Sequence, residues 1–144
     1  MSDLSDLLAG LAQLFDDEGF GTYNQSGVFT ADQTGITIKA VPEKPDNLIV
    51  ITPTFTIDNA EMNDSTQGVQ IRFRGSADPR SVLDRDAAIF DRIHGMHGVV
   101  IGGMNVVLVS RQSSLPWPQD QNQRCEHSSN YSVQVARPTR YRTD

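Results

Sequence analysis

The chain opens with apolar residues at helical spacing. They recur every three or four residues up to a glycine at position 19. The apolar positions are Leu4, Leu7, Leu8, Leu11, Leu14 and Phe15. This pattern predicts an amphipathic helix that begins after a Ser2 cap and ends at Gly19.

Strand patterns follow the helix. Ile36 to Val41 alternates, and Leu48 to Thr52 reads as a buried strand that stops near Pro53, because proline cannot donate to a sheet ladder. Asp58 to Gln67 is polar and predicts a loop of about ten residues. Residues 68–75, "GVQIRFRG", alternate cleanly and predict a half-buried antiparallel strand. In this last strand Val69, Ile71 and Phe73 face one way, while Gln70, Arg72 and Arg74 face the other, open way.

A second helix is predicted directly after this strand. Asp78 can cap it, Pro79 suits its first turn and Gly95 can end it. Its apolar stripe consists of Val82, Leu83, Ala87, Phe90 and Ile93, with Ile89 at the edge.

Two more strands are predicted before the chain ends. Val99 to Val109 is interrupted by a turn or bulge at Gly102 and Gly103, and Tyr131 to Arg137 alternates. The order of elements predicts an α+β fold: a single domain with a mainly antiparallel sheet and two helices packed on one face. The domain covers residues 1–144, with a flexible C-terminal arm from about residue 138.

Composition limits the class of protein. At 144 residues and 38% hydrophobic content, the chain can bury one core. No apolar run approaches the ~20 residues of a membrane helix, and the acidic N-terminus does not fit a signal peptide. A single cysteine allows no internal disulfide. We therefore expect a cytoplasmic, soluble product with no membrane partner.

The net charge of −6 is unevenly distributed. Residues 1–66 contain two lysines, no arginine and 11 acidic residues, whereas residues 67–144 contain ten arginines and seven acidic residues. The two halves could match each other across copies of the chain. Alternatively, they are two ordinary solvated surfaces.

Candidate chemistry is sparse. His94, His97, Cys125 and His127 could supply four zinc ligands, but their spacing is unconventional and His94 suits a helix C-terminus without any metal. No nucleophile motif, dinucleotide-binding motif or phosphate-binding loop is present. We expect no catalytic residue, no cofactor and no bound metal.

The C-terminal arm is the one basic segment. Arg137, Arg140 and Arg142 are interleaved with Tyr141, a composition that suits phosphate contacts. The sequence pI of 4.9 is far from that of a dedicated nucleic-acid binder, so a solvated or subunit-clasping tail is the favoured interpretation.

Two segments carry a family resemblance. "GVQIRFRGSADPRSVLDRDAAIFDRIHGM" (68–96) resembles the strand, Asp-Pro-Arg, helix and His-Gly segment of tail terminator proteins of long-tailed bacteriophages, often labelled minor capsid proteins. "RQSSLPWPQDQNQRCEHSSNYSVQV" (111–135) is similar to the Arg-Gln-Ser, acidic-Asn-x-Arg and Asn-Tyr series of the same family. The prolines on either side of Trp117 are not part of this resemblance.

The resemblance implies an assembly role. Proteins of this kind form a ring, typically hexameric, that caps the tail tube, ends its polymerisation and joins the tail to the head. The expected partners are other copies of the chain, the major tail tube protein and a head-completion or neck connector protein. Viral DNA would pass through the lumen without sequence-specific contacts. The protein would be made in the host cytoplasm and reside in the neck of the virion.

Three alternatives remain open at this stage. A head-completion or stopper protein of the same neck would share size and fold type. A tail tube subunit would polymerise into long cylinders. A metal-binding or nucleic-acid-binding module is the third possibility.

Eight residues are candidates for protein–protein contacts. Trp117 lies between two prolines that stiffen the backbone, and tryptophan is enriched where interface energy concentrates. We expect Trp117→Ala to leave the melting temperature almost unchanged while head–tail joining fails. Reversing the charges of the strand arginines is likewise expected to leave the monomer folded. The full set is Arg72, Arg74, Trp117, Asp120, Arg124, Arg140, Tyr141 and Arg142.

Overall fold

A computed structural model describes residues 4–142 of the chain. Helix α1 (Leu4–Asp17) confirms the predicted first helix and buries the predicted apolar face. Gly19, with φ of +82°, follows it in the left-handed region that favours glycine. The predicted cap, Ser2, lies outside the described residues.

Within residues 4–142, seven strands form one sheet. They are β1 (Thr22–Tyr23), β2 (Gly35–Ile38), β3 (Leu48–Asp58), β4 (Asp64–Arg74), β5 (Val99–Ile101), β6 (Met104–Trp117) and β7 (Glu126–Ala136), with helix α2 (Arg80–Ile93) between β4 and β5. Their spatial order is β1-β2-β3-β4-β7-β6-β5. The α+β class is confirmed.

The sheet is mainly antiparallel, as expected, but it also contains a parallel part that the sequence does not predict. β1 and β2 pair in parallel, as do β2 and β3, whereas the other four neighbouring pairs are antiparallel. The segment 39–47 returns along the sheet without a helix, so β3 starts at the same end as β2. A crossover of this kind gives no periodic sequence signal, because it has no secondary structure of its own.

The β3–β4 hairpin is longer than the sequence predicts. β3 continues through Pro53 to Asp58, with a register shift between Pro53 and Thr56, and β4 begins at Asp64. The predicted loop from Asp58 to Gln67 is therefore wrong for its last part. Pro53 is tolerated because β2 pairs with β3 only over 48–51, so no strand on that side requires a backbone donor at position 53.

Both helices share one core with the sheet. Val69, Ile71 and Phe73 are buried in this core, as the alternation of β4 predicts. The same cluster includes Leu11 and Phe15 of α1 together with buried residues of α2. Glu18 after α1 also pairs with Arg92 of α2, with Nε and Oε1 2.6 Å apart. Burying these apolar groups supplies the main stabilisation of the domain.

Helix α2 is rotated relative to its predicted stripe. Val82, Ile89 and Ile93 are buried, but so is Asp86, while Leu83 is 46% exposed. A stripe drawn from apolarity alone missed the inward-facing carboxylate, because its partners come from distant strands. At the helix start, Asp78 accepts the backbone N–H of Arg80, as its predicted capping role requires.

Helix α1 crosses the turn between β5 and β6 at very short range. A Cβ on Gly10 would lie 2.5 Å from the backbone nitrogen of Gly102. Any larger residue at position 10 would push the helix away from the sheet. Gly10 and Gly102 therefore allow α1 to pack closely against the β5–β6 turn.

Candidate interaction site

Trp117 is the last residue of β6, not part of an irregular loop. It pairs with Glu126 of β7, and the preceding Pro116 pairs with His127. The long β6–β7 hairpin thus includes Pro116 and Trp117 in the sheet. The sequence does not predict this strand, because prolines are rare in paired strands.

The indole of Trp117 is fixed on the helix-free face of the sheet. Its Nε1 donates to Ser128 Oγ at 2.8 Å, and the Arg72 guanidinium lies 4.5 Å from the ring centroid. Arg72 also pairs with Glu126 at 2.6 Å. Trp117 covers part of its own sheet and remains 38% exposed, so the expectation that its loss barely affects stability needs correction. Leu115, two residues earlier, is exposed beside it.

Arg74 differs from Arg72 although both project from the same face of β4. Arg74 is only 4% exposed, and its guanidinium donates to the carbonyl oxygens of Pro42, Glu43, Pro45 and Asp46 at 2.7–3.1 Å. Burial, followed by the charge of Arg124, lowers the pKa of Arg74. The expectation that Arg74 lies on an open face is therefore wrong, because a loop that the sequence does not predict closes over it.

Arg124 anchors the connection between β6 and β7. Its Nε donates to Asp120 Oδ2 at 2.8 Å, and its Nη1 donates to the Glu43 carbonyl at 2.7 Å and to Asp46 Oδ1 at 3.1 Å. Burial lowers the pKa of Arg124, but the hydrogen bonds to Asp120 and Asp46 outweigh burial and raise it. Asp120 and Arg124 thus orient the 118–125 loop and attach it to the 42–46 loop.

The C-terminal arm lies against the β3–β4 hairpin as far as residue 142. Arg142 is buried and donates to Asn59 O and Ser65 Oγ, both at 3.0 Å, with Asp58 3.7 Å away. Tyr141 is 90% exposed, and Arg140 is also exposed. The flexibility of the arm stays a prediction.

Ion pairs join the two oppositely charged halves within one chain. Arg92 pairs with Glu18, Arg124 pairs with Glu43 and Asp46, and Arg142 pairs with Asp58. These arginines are therefore engaged before any second copy arrives. These pairs weaken the hypothesis that an acidic flank of one subunit matches a basic flank of the next, because the opposite charges already pair within one chain.

The sequence does not predict the buried polar cluster that lies beneath α2. Asp86 accepts a hydrogen bond from Ser129 Oγ and lies 3.3 Å from Nη1 of Arg111 and 3.4 Å from Nε2 of His127. Ser114 Oγ is 2.7 Å from the same His127 nitrogen. A nucleophile relay needs its serine and aspartate on opposite ring nitrogens, so this arrangement fastens the helix to the sheet instead.

The predicted zinc candidates do not come together. His94 stacks on Phe90 and accepts the backbone N–H of Arg111, while the Cys125 thiol contacts the Ala77 carbonyl. Within residues 4–142, no group of three or more His, Cys, Asp or Glu side chains is arranged to hold a metal ion.

Comparison with known protein families identifies the family of the chain. Residues 14–137 match the family described as bacteriophage tail terminator protein. The chain belongs to the bacteriophage tail terminator family. It is therefore a structural protein of a phage tail and a component of the virion. No curated protein matches the sequence significantly.

The family match bears on the candidate contacts of this terminator. It spans both long hairpins and α2, and it includes Trp117 and Arg72 but ends before Arg140. Among the described residues, no helix is long and apolar enough to cross a membrane. The role of these side chains in contacts between proteins stays a prediction.

Proposed function

We propose that this protein forms a closed ring, with six copies as the expected number, that caps the tail tube, ends its polymerisation and joins the tail to the head. The observation that carries the proposal is the family match over residues 14–137. Its partners are other copies of the chain, the major tail tube protein and a head-completion or neck connector protein. It acts in the neck of the virion, and DNA passes through its lumen.

Surface features support a contact role on the helix-free face of the sheet. Leu115 and Trp117 expose apolar area on this face, whereas charged groups near them are already paired. Arg124 and Asp120 hold the adjoining loop in one conformation. A preordered loop loses less entropy on docking, which favours a repeated assembly contact. We propose this region as the face that meets a neck or tail partner.

Electron microscopy of the purified protein tests the ring. Closed rings are expected; long cylinders would instead indicate a tail tube subunit. Adding the protein to polymerising tail tube protein should shorten the tubes in proportion to its concentration, with bovine serum albumin as the control. If the tubes keep their length while the protein co-purifies with portal-side connectors, it is a head-completion protein and the terminator role is refuted.

A further inference from the structure

One end of the sheet has two unpaired strand edges. β5 is the last strand on one side. On the other side, β2 ends its pairing at Ile51, so β3 from Thr54 to Asp58 has no strand beyond it in the described chain. At this end the sheet therefore consists of five strands, β3-β4-β7-β6-β5, with a free edge on each flank.

Both edges are uncharged and expose apolar side chains where a partner strand would lie. On β3, Phe55 and Ile57 are exposed, the latter by 61%. On β5, Val99 and Val100 are exposed, the latter by 65%, next to an open groove of about 530 Å³ lined by residues 97–100 and 105–107. Soluble proteins usually protect such edges with charges, prolines or a covering segment. Neither Val99–Ile101 nor Thr54–Ile57 carries a charged side chain, so both edges can be desolvated cheaply.

We infer that the β5 edge of one copy pairs with the Thr54–Ile57 edge of the next copy. This inference rests on the ring of the proposed function, since two different edges of the same chain make a head-to-tail contact that can close into a ring. Four successive antiparallel pairings separate β3 from β5, so the two strands have the same sense in the sheet.

Cross-linking between engineered cysteines tests the pairing. In a Cys125→Ser background, the double variant Ile57→Cys/Val100→Cys is treated with a short bis-maleimide, whose spacer tolerates a shift of one residue in register. A denaturing gel should show a ladder of linked copies up to the ring size. Each single variant should run as a monomer, since a head-to-tail contact never places two copies of one edge together. Ile57→Cys/Leu83→Cys is the matched control, because Leu83 is 46% exposed but lies on α2.

Every other outcome contradicts the inference. Dimers from Val100→Cys alone would show two β5 edges paired about a two-fold axis. Rings seen by microscopy without a ladder in the double variant would refute this pairing while the proposed ring stands. A wild-type protein that stays monomeric at all concentrations would overturn both. As an independent check, Val100→Lys should abolish ring formation with an unchanged circular dichroism spectrum, whereas Leu83→Lys should not.

Discussion

Replacing Arg74 with methionine separates a folding role from a contact role. The substitution keeps the aliphatic stem and removes the guanidinium that donates to four carbonyl oxygens of the 42–46 loop. A buried carbonyl left without a partner costs about 1–3 kcal/mol. Because water can reach part of the loop, we count about two of the four as unsatisfied. Arg74→Met is therefore expected to lower the free energy of unfolding by about 2–6 kcal/mol, a large fraction of the roughly 5–15 kcal/mol of a typical domain.

Urea unfolding followed by circular dichroism measures this loss. Arg80→Met is the control, since the Arg80 side chain is 80% exposed and its partner Asp78 is 49% exposed. It should leave urea unfolding almost unchanged, as exposed ion pairs contribute little. Equal losses in the two variants, or a loss below about 0.5 kcal/mol for Arg74→Met, would refute the role given to the buried guanidinium.

Trp117→Ala should lower the free energy of unfolding by about 2–3 kcal/mol, because roughly 150 Å² of the Trp117 side chain is covered. Leu115→Ser, by contrast, should leave urea unfolding almost unchanged and yet reduce head–tail joining in a complementation assay. Full joining activity in Leu115→Ser would remove this face from the contact. Burial, followed by the charge of Asp86, raises the pKa of Tyr131 from 10.0 to about 12. Because the unfolded chain ionises this phenol first, the stability of the folded state is fully present below pH 10 and falls by about 2–3 kcal/mol as pH rises to 12. Tyr131→Phe should show a shallower loss of stability over this interval, and identical pH profiles would contradict the assignment.

Much of the candidate site was visible in the sequence only as residue types. Trp117, Asp120 and Arg124 could be selected because a tryptophan between prolines and an acid–arginine loop are unusual. Their partners could not be predicted, since Ser128 and Asp46 reach them only through strand register and loop closure. The same holds for Asp86, whose burial depends on side chains of β6 and β7.

The sequence by itself determined the elements whose signal is local. The periodicity of α1, the alternation of β4 and the glycines that end the helices depend on neighbours within one or two turns, so the helices, the central strand and the α+β class followed from it. Tertiary structure alone decided the parallel pairing of β2 with β3, the burial of Arg74 and the pairing of acidic and basic halves within one chain. Each of these depends on groups about 13 to 84 residues apart in the sequence. Such contacts stabilise the fold only after the chain has closed the intervening loops, at a cost in entropy.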